Sequence, residues 1–346
     1  MSSDRARSPA LTSFVVASRY MPVYVALLLL LIVASIWAPA TLSGVAVRGI
    51  APYGAVLGLA ALGQMLVIMT GGIDLSVPGT MSLAAVIMVG VGDGSNENIW
   101  IAIATAIAVA ALIGLVNGVL IGGLRLNALI TTLAVGLIVA GVVNRYASTF
   151  PVQSRVPPGL SDWISTRIFG VSPVFWVGVG LTFFLIIGLR YTAVGRRFQA
   201  VGANPVASHV VGVRVNLNQI LVYVVAAVFY AIAGVALAGL LRNPGVGAGT
   251  TYLLGPIAAV VIGGASLTGG LASPLSTFVA ALFLTGLNQM LRVMGLPTSL
   301  QFVVFGLVII GGMLVSGDRI IRGVEQLLRE RRRPGDPHTQ TVPGPM

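Results

Sequence analysis

Asp74 stands in the stretch MTGGIDLSVPGTM (residues 69–81), between two long apolar runs. Three kinds of chemistry are open to a carboxylate in that setting. It can accept the unpaired N–H groups that begin the next helix, where the helix dipole also favours negative charge. It can touch solute or form part of a gate, or it can carry a proton, because ionisable groups within apolar segments mark transport paths. The neighbours favour the first role. Gly71 and Gly72 let the backbone unwind, and Asp74 and Ser76 precede Pro78 at the head of a new apolar helix. Asp74 is therefore read as a cap that holds a helix break, with gating and proton coupling as the alternatives.

Gln64, Asn117, Asn144, Asn288 and Gln289 are the other polar side chains expected to be buried in apolar runs. Amides suit the recognition of sugar hydroxyls, but they also tie membrane helices together. Gly114, Gly118 and Gly122 surround Asn117 at four-residue spacing, which points to close packing there. Gln64 and Asn288 lie near broken motifs and are the candidates for a solute path.

Much chemistry is excluded. All 20 basic residues are arginine, so there is no Walker A lysine and no Schiff-base lysine. Cysteine is absent and the only histidines are His209 and His338, which rules out thiolate chemistry and Cys/His metal sites. The chain reads as a non-enzyme with no metal and no cofactor.

The elements that must position these residues are membrane helices. Hydrophobic residues make up 56% of the 346, charged residues 8%, and mean hydropathy is +0.98. Apolar runs at about 21–39, 50–69, 79–92, 99–124, 127–148, 173–190, 217–241, 253–265, 272–291 and 299–316 give about ten segments, some short enough to be broken or re-entrant. The fold class is all-α integral membrane protein. Residues 1–20 form an N-terminal tail, 21–316 the transmembrane domain and 317–346 a C-terminal tail. Arg5, Arg7, Arg19, Arg125, Arg190, Arg196, Arg197, Arg214 and the arginines after residue 316 fall on one side in a ten-segment arrangement. The positive-inside rule makes that side cytoplasmic, with both termini on it. Ile320, Ile321, Val324, Leu327 and Leu328 share one helical face, which suits a helix lying on anionic lipid.

A weak internal echo links GGIDLS (71–76) to GGASLT (263–268), so that Gly263, Gly264 and Ser266 form a second candidate break. Transporters are often built from such repeats. The loop 191–216 carries its own small helix, with Asn204 as cap, Pro205 at the first position and Gly212 at the exit. Val206 with Val210 and Ala207 with Val211 give it an apolar face. A helix this short needs support, either from its own membrane domain or from a partner's groove.

Three segments, GQMLVIMTGGIDLSVPGTMSLAA, GRRFQAVGANPVASHVVGV and IAAVVIGGASLTGGLASPLSTFVAALFLTGLNQMLRVMG, resemble the signature segments of ribose/xylose/galactoside-type ABC importer permeases. The resemblance runs from about residue 45 to 318. It implies a type II-like permease in a bacterial inner membrane, paired with a second permease subunit in a homodimer and surrounded by lipid. It also implies a separate ATPase subunit, an extracytoplasmic solute-binding protein, and no nucleic-acid partner. The loop matching Gly195–Val213 is then the coupling loop, carrying Gly195, Arg196, Arg197, Gly202, Asn204, Pro205, Val206, Ala207, Val210 and Gly212. Two departures stand out. Pro78 interrupts the usual GGIDLSVG, and Leu253 and Gly255 stand where acidic residues are common. Import of a sugar or sugar-like solute is the leading expectation. A proton-coupled carrier using Asp74 and a membrane scaffold are the alternatives.

Overall fold

The computed structural model describes residues 9–149 and 155–316, and among these the chain is helical with no β-sheet. The amphipathic helix expected after residue 317 and the first eight residues lie outside the described residues.

Thirteen α-helices follow in order: α1 (Pro9–Trp37), α2 (Gly44–Met69), α3 (Val77–Gly90), α4 (Ile99–Gly118), α5 (Ala128–Ala147), α6 (Pro158–Ser165), α7 (Pro173–Tyr191), α8 (Ala193–Ala203), α9 (Pro205–Val210), α10 (Val215–Leu241), α11 (Gly255–Ile262), α12 (Pro274–Val293) and α13 (Thr298–Ser316). Of these, α1, α2, α4, α5, α7, α10 and α12 are long and apolar enough to cross a bilayer. With α3, α11 and α13 they make up the ten expected segments. Two of the ten are half-helices. At 1.5 Å per residue, α3 reaches about 21 Å and α11 only about 12 Å.

The centre is formed by α2 and α10. The most apolar window of α2 is 89% buried, against 17% for that of α1. Small residues let the central helices approach closely. A Cβ added to Gly63 of α2 would lie 2.8 Å from the Ala226 carbonyl oxygen of α10. The predicted stripe on α4 packs the same way: at Gly114 a Cβ would be 2.5 Å from the Tyr223 oxygen, and at Gly118 2.7 Å from Ile220 Cα. Close backbone contact is how membrane helices gain dispersion energy without a hydrophobic drive between them. The outer helices present Leu112, Leu137, Ile138, Phe184 and Leu307 outward, as a lipid-facing surface requires.

The half-helices explain how the breaks come inside. After α10, residues 242–254 turn back into the bundle, so that Gly249 reaches the head of α3. Its N–H donates to Ser82 Oγ at 3.0 Å, and a Cβ there would be 2.4 Å from the Pro78 carbonyl oxygen. Pro78 thus occupies the second position of α3 and faces the returning loop.

Candidate functional site

The first break is held by a nearly complete set of backbone partners. The end of α2 closes with Gly71 in the left-handed region (φ 83°), where its N–H donates to Ile68 O and that of Gly72 to Val67 O. This is the glycine-terminated helix end that a side chain with a Cβ would strain. Gln64, one turn earlier and fully buried, then meets the backbone of Asp74. With its amide oxygen toward the Asp74 N–H and its nitrogen toward the Asp74 carbonyl, both contacts are 3.1 Å, and the nitrogen lies 3.0 Å from Tyr230 Oη of α10. Thr132 of α5 accepts the Leu75 N–H at 2.9 Å while its own hydroxyl donates to Ala128 O at 2.8 Å and lies 3.3 Å from Ile73 O. An apolar surround leaves no other partners for these groups.

Asp74, the predicted cap, instead supports the turn from two residues before the cap position of α3. Its Oδ1 accepts the Ser76 N–H at 2.8 Å and the Ser76 hydroxyl at 2.6 Å. The residue at the cap position of α3 is Ser76, whose side chain makes no capping bond to the helix. Asp74 therefore closes an Asx turn that leads into the helix, the local alternative such side chains offer the backbone. Asn117 of α4 donates to Ser76 Oγ at 2.9 Å, tying a third helix to the break. The Gly114–Gly122 stripe packs as expected, yet Asn117 itself also faces the break.

The second break repeats this geometry. α11 ends with Gly264 at φ 84°, whose N–H donates to Val261 O while that of Ala265 donates to Val260 O. That is the pattern at Gly71 and Gly72. Farther on, Ser266 Oγ and Thr268 Oγ1 are 2.8 Å apart, matching the spacing of Asp74 and Ser76 in GGIDLS. The left-handed glycine is the second of the pair here and the first in the other break, so the echo carries a one-residue offset. Gly263 packs against α12, where a Cβ would be 3.0 Å from Thr277 Cα. Arg19, which the sequence offered only as an orienting charge, is buried and donates from Nε to Gly264 O at 2.8 Å.

The two breaks touch each other and the end of α8. Gly270 N–H donates to Met69 O at 2.8 Å. Gly202 of α8 lies against the same carbonyl, where a Cβ would be 1.8 Å from Met69 O and 2.9 Å from Gly270 N. Two residues beyond Gly202, Asn204 ends α8 and begins α9, its Oδ1 accepting the Ala207 N–H at 2.9 Å. Pro205 takes the first position, and Gly212 closes α9 at φ 83° with its N–H on His209 O. Val206, Val210 and Val211 are 75%, 80% and 77% exposed, and Ala207 is exposed as well. No part of this chain's described membrane domain covers that apolar face. At the other end of α8, Gly195 sits so close to α7 that a Cβ would be 2.2 Å from Gly188 O. Arg196 donates to Tyr191 O at 3.1 Å, and Arg197 is exposed.

The predicted polar residues thus divide. Gln64, Gly71, Gly72, Asp74 and Ser76 come together at the first break, joined by Asn117, Thr132 and Tyr230. Asn288 lies elsewhere, with Gln289, on a cavity of about 810 Å³ at the end of the bundle opposite α9. Asn144 is not buried; it is exposed and its amide donates back to Ala140 O within α5 at 2.8 Å. Position near an apolar run could not distinguish the outer face of α5 from its inner face. A second cavity, of about 770 Å³, opens beside α9 and reaches Gly71, Gly72 and Tyr223. Among the described residues no cluster of His, Asp and Glu suited to a metal ion occurs.

Comparison with known proteins adds an independent line. A family model described as "Branched-chain amino acid transport system / permease component" matches residues 46–313. The ribose import permease protein RbsC of Escherichia coli strain K12 is 33% identical over 263 residues, covering 75% of this chain and 81% of that protein. The autoinducer 2 import system permease protein LsrC of Klebsiella pneumoniae is 36% identical over 293 residues, covering 83% and 84%. The galactose/methyl galactoside import permease protein MglC of Escherichia coli strain K12 is 30% identical over 312 residues, covering 83% and 91%. No solved structure matches the chain.

Proposed function

The chain belongs to the permease family of ABC importers that includes these sugar and autoinducer 2 permeases, and from that premise we propose how it works. It is the membrane-spanning subunit of a bacterial ATP-driven importer for a sugar or sugar-like solute. An extracytoplasmic binding protein delivers the solute at the end opposite α9. A separate ATPase subunit docks on α9 at the cytoplasmic end, where both termini also lie, and a second copy of the permease completes the membrane unit. Residues 21–316 form the permease domain, with residues 191–216 as its coupling loop.

The observation that carries this reading is the contact of Gly202 with Met69 and Gly270. An ATPase that moves α9 moves α8 with it through Asn204, and α8 bears on the one carbonyl where the two breaks meet. Interfaces of this kind have discrete packings, so a small displacement is converted into a switch between arrangements. In that switch Gly71, Gly72, Asp74, Ser76 and Pro78 form one half of the gate, and Gly263, Gly264 and Ser266 the other. The two cavities suit alternating access, since each approaches the central helices from its own end.

The test is reconstitution. Proteoliposomes holding the permease, its ATPase and its binding protein take up solute only with ATP, and uptake survives an ionophore that collapses proton gradients. Uptake that persists without the ATPase and stops with the ionophore would instead mark a proton-coupled carrier.

A further inference from the structure

We propose that the cavity beside α9 binds the phosphate ester of a small polyhydroxylated compound through Arg125 and Arg214, and that its occupancy slows transport. This goes beyond the importer reading and rests on it for the assignment of this end to the cytoplasm.

Cations without partners mark the site. Arg125, Arg214 and His209 line the cavity, and among the described residues no Asp or Glu does. Among those residues, none of the three side chains makes a hydrogen bond or ion pair. The ordinary role of arginine at this end is to orient the chain, which needs no cavity. Arg190 and Arg196 fit that role, since Arg190 lies over the Tyr191 ring at 5.6 Å and Arg196 donates to Tyr191 O. Arg125 and Arg214 differ in converging on one shared volume.

Arg125 is set in place by an uncommon piece of backbone. α4 runs on as a π-helical turn, Val119–Gly123, which the Leu124 N–H closes on Val119 O at 3.0 Å. Arg125 follows in the left-handed region at φ 57°, a conformation that persists in an arginine only where its surroundings impose it. Those surroundings are α10. Gly122 packs so closely that a Cβ would lie 2.9 Å from Asn216 O and 3.0 Å from Gln219 Cβ. Asn216, Gln219 and Tyr223 fall at i, i+3 and i+7, one face of α10, and all three line the cavity. Tyr223 is buried, and its hydroxyl has no hydrogen-bond partner. Gly72 makes room for that hydroxyl, since a Cβ there would be 2.5 Å from Tyr223 Oη.

The lining selects the ligand class. Guanidinium forks match the oxygens of a phosphate, and no carboxylate of the lining competes for them. The amides of Asn216 and Gln219 offer paired donors and acceptors to hydroxyls. About 770 Å³ falls within the range of small-molecule sites, about 300–1,000 Å³. A cationic solute would be repelled, and a neutral sugar would make no use of the two guanidiniums.

The walls account for the effect on transport. Pro205, Val206 and Val210 belong to α9, whereas Gly71 and Gly72 end α2 at the first break. A ligand lodged between them favours the arrangement in which the cavity is open and opposes the switch away from it. The ester reaches the cavity either free in the cytoplasm or as the headgroup of an anionic lipid.

Calorimetric titration of the full-length permease in phosphatidylcholine nanodiscs tests the site, with D-ribose 5-phosphate as probe and D-ribose and D-gluconate as comparators. The probe is expected to bind at least about tenfold more tightly than either comparator. Arg125→Gln and Arg214→Gln each weaken it at least about tenfold, as loss of a charge-assisted pair requires. Arg190→Gln, which removes a charge outside the cavity, leaves it unchanged. Nanodiscs containing phosphatidylglycerol identify the source. Unchanged affinity assigns the site to a free ester and displacement of the probe to a lipid headgroup, and both outcomes support a phosphate-ester site. In phosphatidylcholine proteoliposomes holding the whole importer, D-ribose 5-phosphate on the ATPase side lowers ATP-driven uptake at least about threefold. Arg125→Gln abolishes that inhibition while uptake without the ester stays normal. The proposal fails if the probe binds no better than D-ribose, if Arg190→Gln weakens it as much as Arg125→Gln, or if wild-type uptake ignores the ester. It also fails if the ATPase subunit displaces the probe, which would make the two arginines part of that subunit's docking surface. Absence of ATP-driven uptake by the wild type without the ester sinks the importer reading and with it the effect on transport, while the titration still decides the binding site.

Discussion

Replacing Gly202 with alanine sets two effects against each other. Within α8 alanine is the better helix former by about 1 kcal/mol, so the local effect is stabilising. The new Cβ, however, would sit 1.8 Å from Met69 O. Restoring an ordinary C···O separation of about 3.3 Å requires a retreat of about 1.5 Å. That displacement strains or breaks the 2.8 Å bond from Gly270 N–H to Met69 O. A buried donor and acceptor left unpaired cost about 1–3 kcal/mol, and overpacking adds a similar amount. The net penalty on this packing is about 1–5 kcal/mol, or from about fivefold to a few thousandfold in the balance between gate arrangements.

The penalty is too small to prevent insertion and large enough to disturb switching. The expected result for Gly202→Ala is normal expression, normal co-purification of the ATPase, and solute uptake per ATP hydrolysed reduced at least about tenfold. Gly188→Ala is the matched control, because a Cβ there meets nothing within 4 Å. A wild-type uptake ratio for Gly202→Ala, measured in proteoliposomes beside that control, would refute the proposed link from α8 to the breaks.

Val210→Asp places a charge on the exposed face of α9; it leaves membrane insertion intact, while ATPase co-purification and uptake are both lost in a pull-down and a transport assay. Asp74→Asn keeps an oxygen able to accept from Ser76, so uptake falls less than about threefold, whereas Asp74→Ala loses the turn and at least about 1 kcal/mol, read as a lower melting temperature. A proton-carrying Asp74 predicts the reverse for asparagine, namely abolished uptake. Gln64→Leu strips the Asp74 backbone of both its partners and costs about 2–5 kcal/mol, lowering the melting temperature more than Asn288→Leu does. Equal melting temperatures for those two variants would count against the pairing of Gln64 with the break.

The sequence made some of this legible for physical reasons. Helix count and the two breaks follow from apolar run lengths and from glycine pairs, both local properties. The ends of α9 were readable because a cap, a proline and an exit glycine are written in consecutive order. What escaped were contacts across the fold. Arg19 looked like an orienting charge because its partner, Gly264 O, lies 245 positions away. Thr132 carried no signal at all, since a threonine in an apolar helix ordinarily bonds its own preceding turn, as this one also does to Ala128 O. Asn117 was read for its glycine neighbours, and its second role depends on Ser76, which only the fold brings near.

Pro78 acquires a specific meaning from the loop that returns after α10. A proline at the second position of a helix costs no hydrogen bond, so its presence alone does not disturb α3. Its carbonyl, however, faces Gly249 with no room for a side chain, and Ser82 one turn later holds the Gly249 N–H. Six residues on, where that loop enters α11, Gly255 lines the wall of the polar cavity opposite α9. A shift at the first break therefore reaches the cavity by two routes, through α2 to Tyr53 and through α3 and Gly249 to Tyr252 and Gly255. Both routes move one wall while Asn288 and Gln289 stand on α12, which is anchored at the other break. Gly249→Val blocks the second route only. It is expected to weaken coupling between nucleotide state and sugar binding while leaving the Gly202–Met69 contact in place, and a sugar affinity that follows nucleotide state as strongly in Gly249→Val as in the wild type would refute the second route.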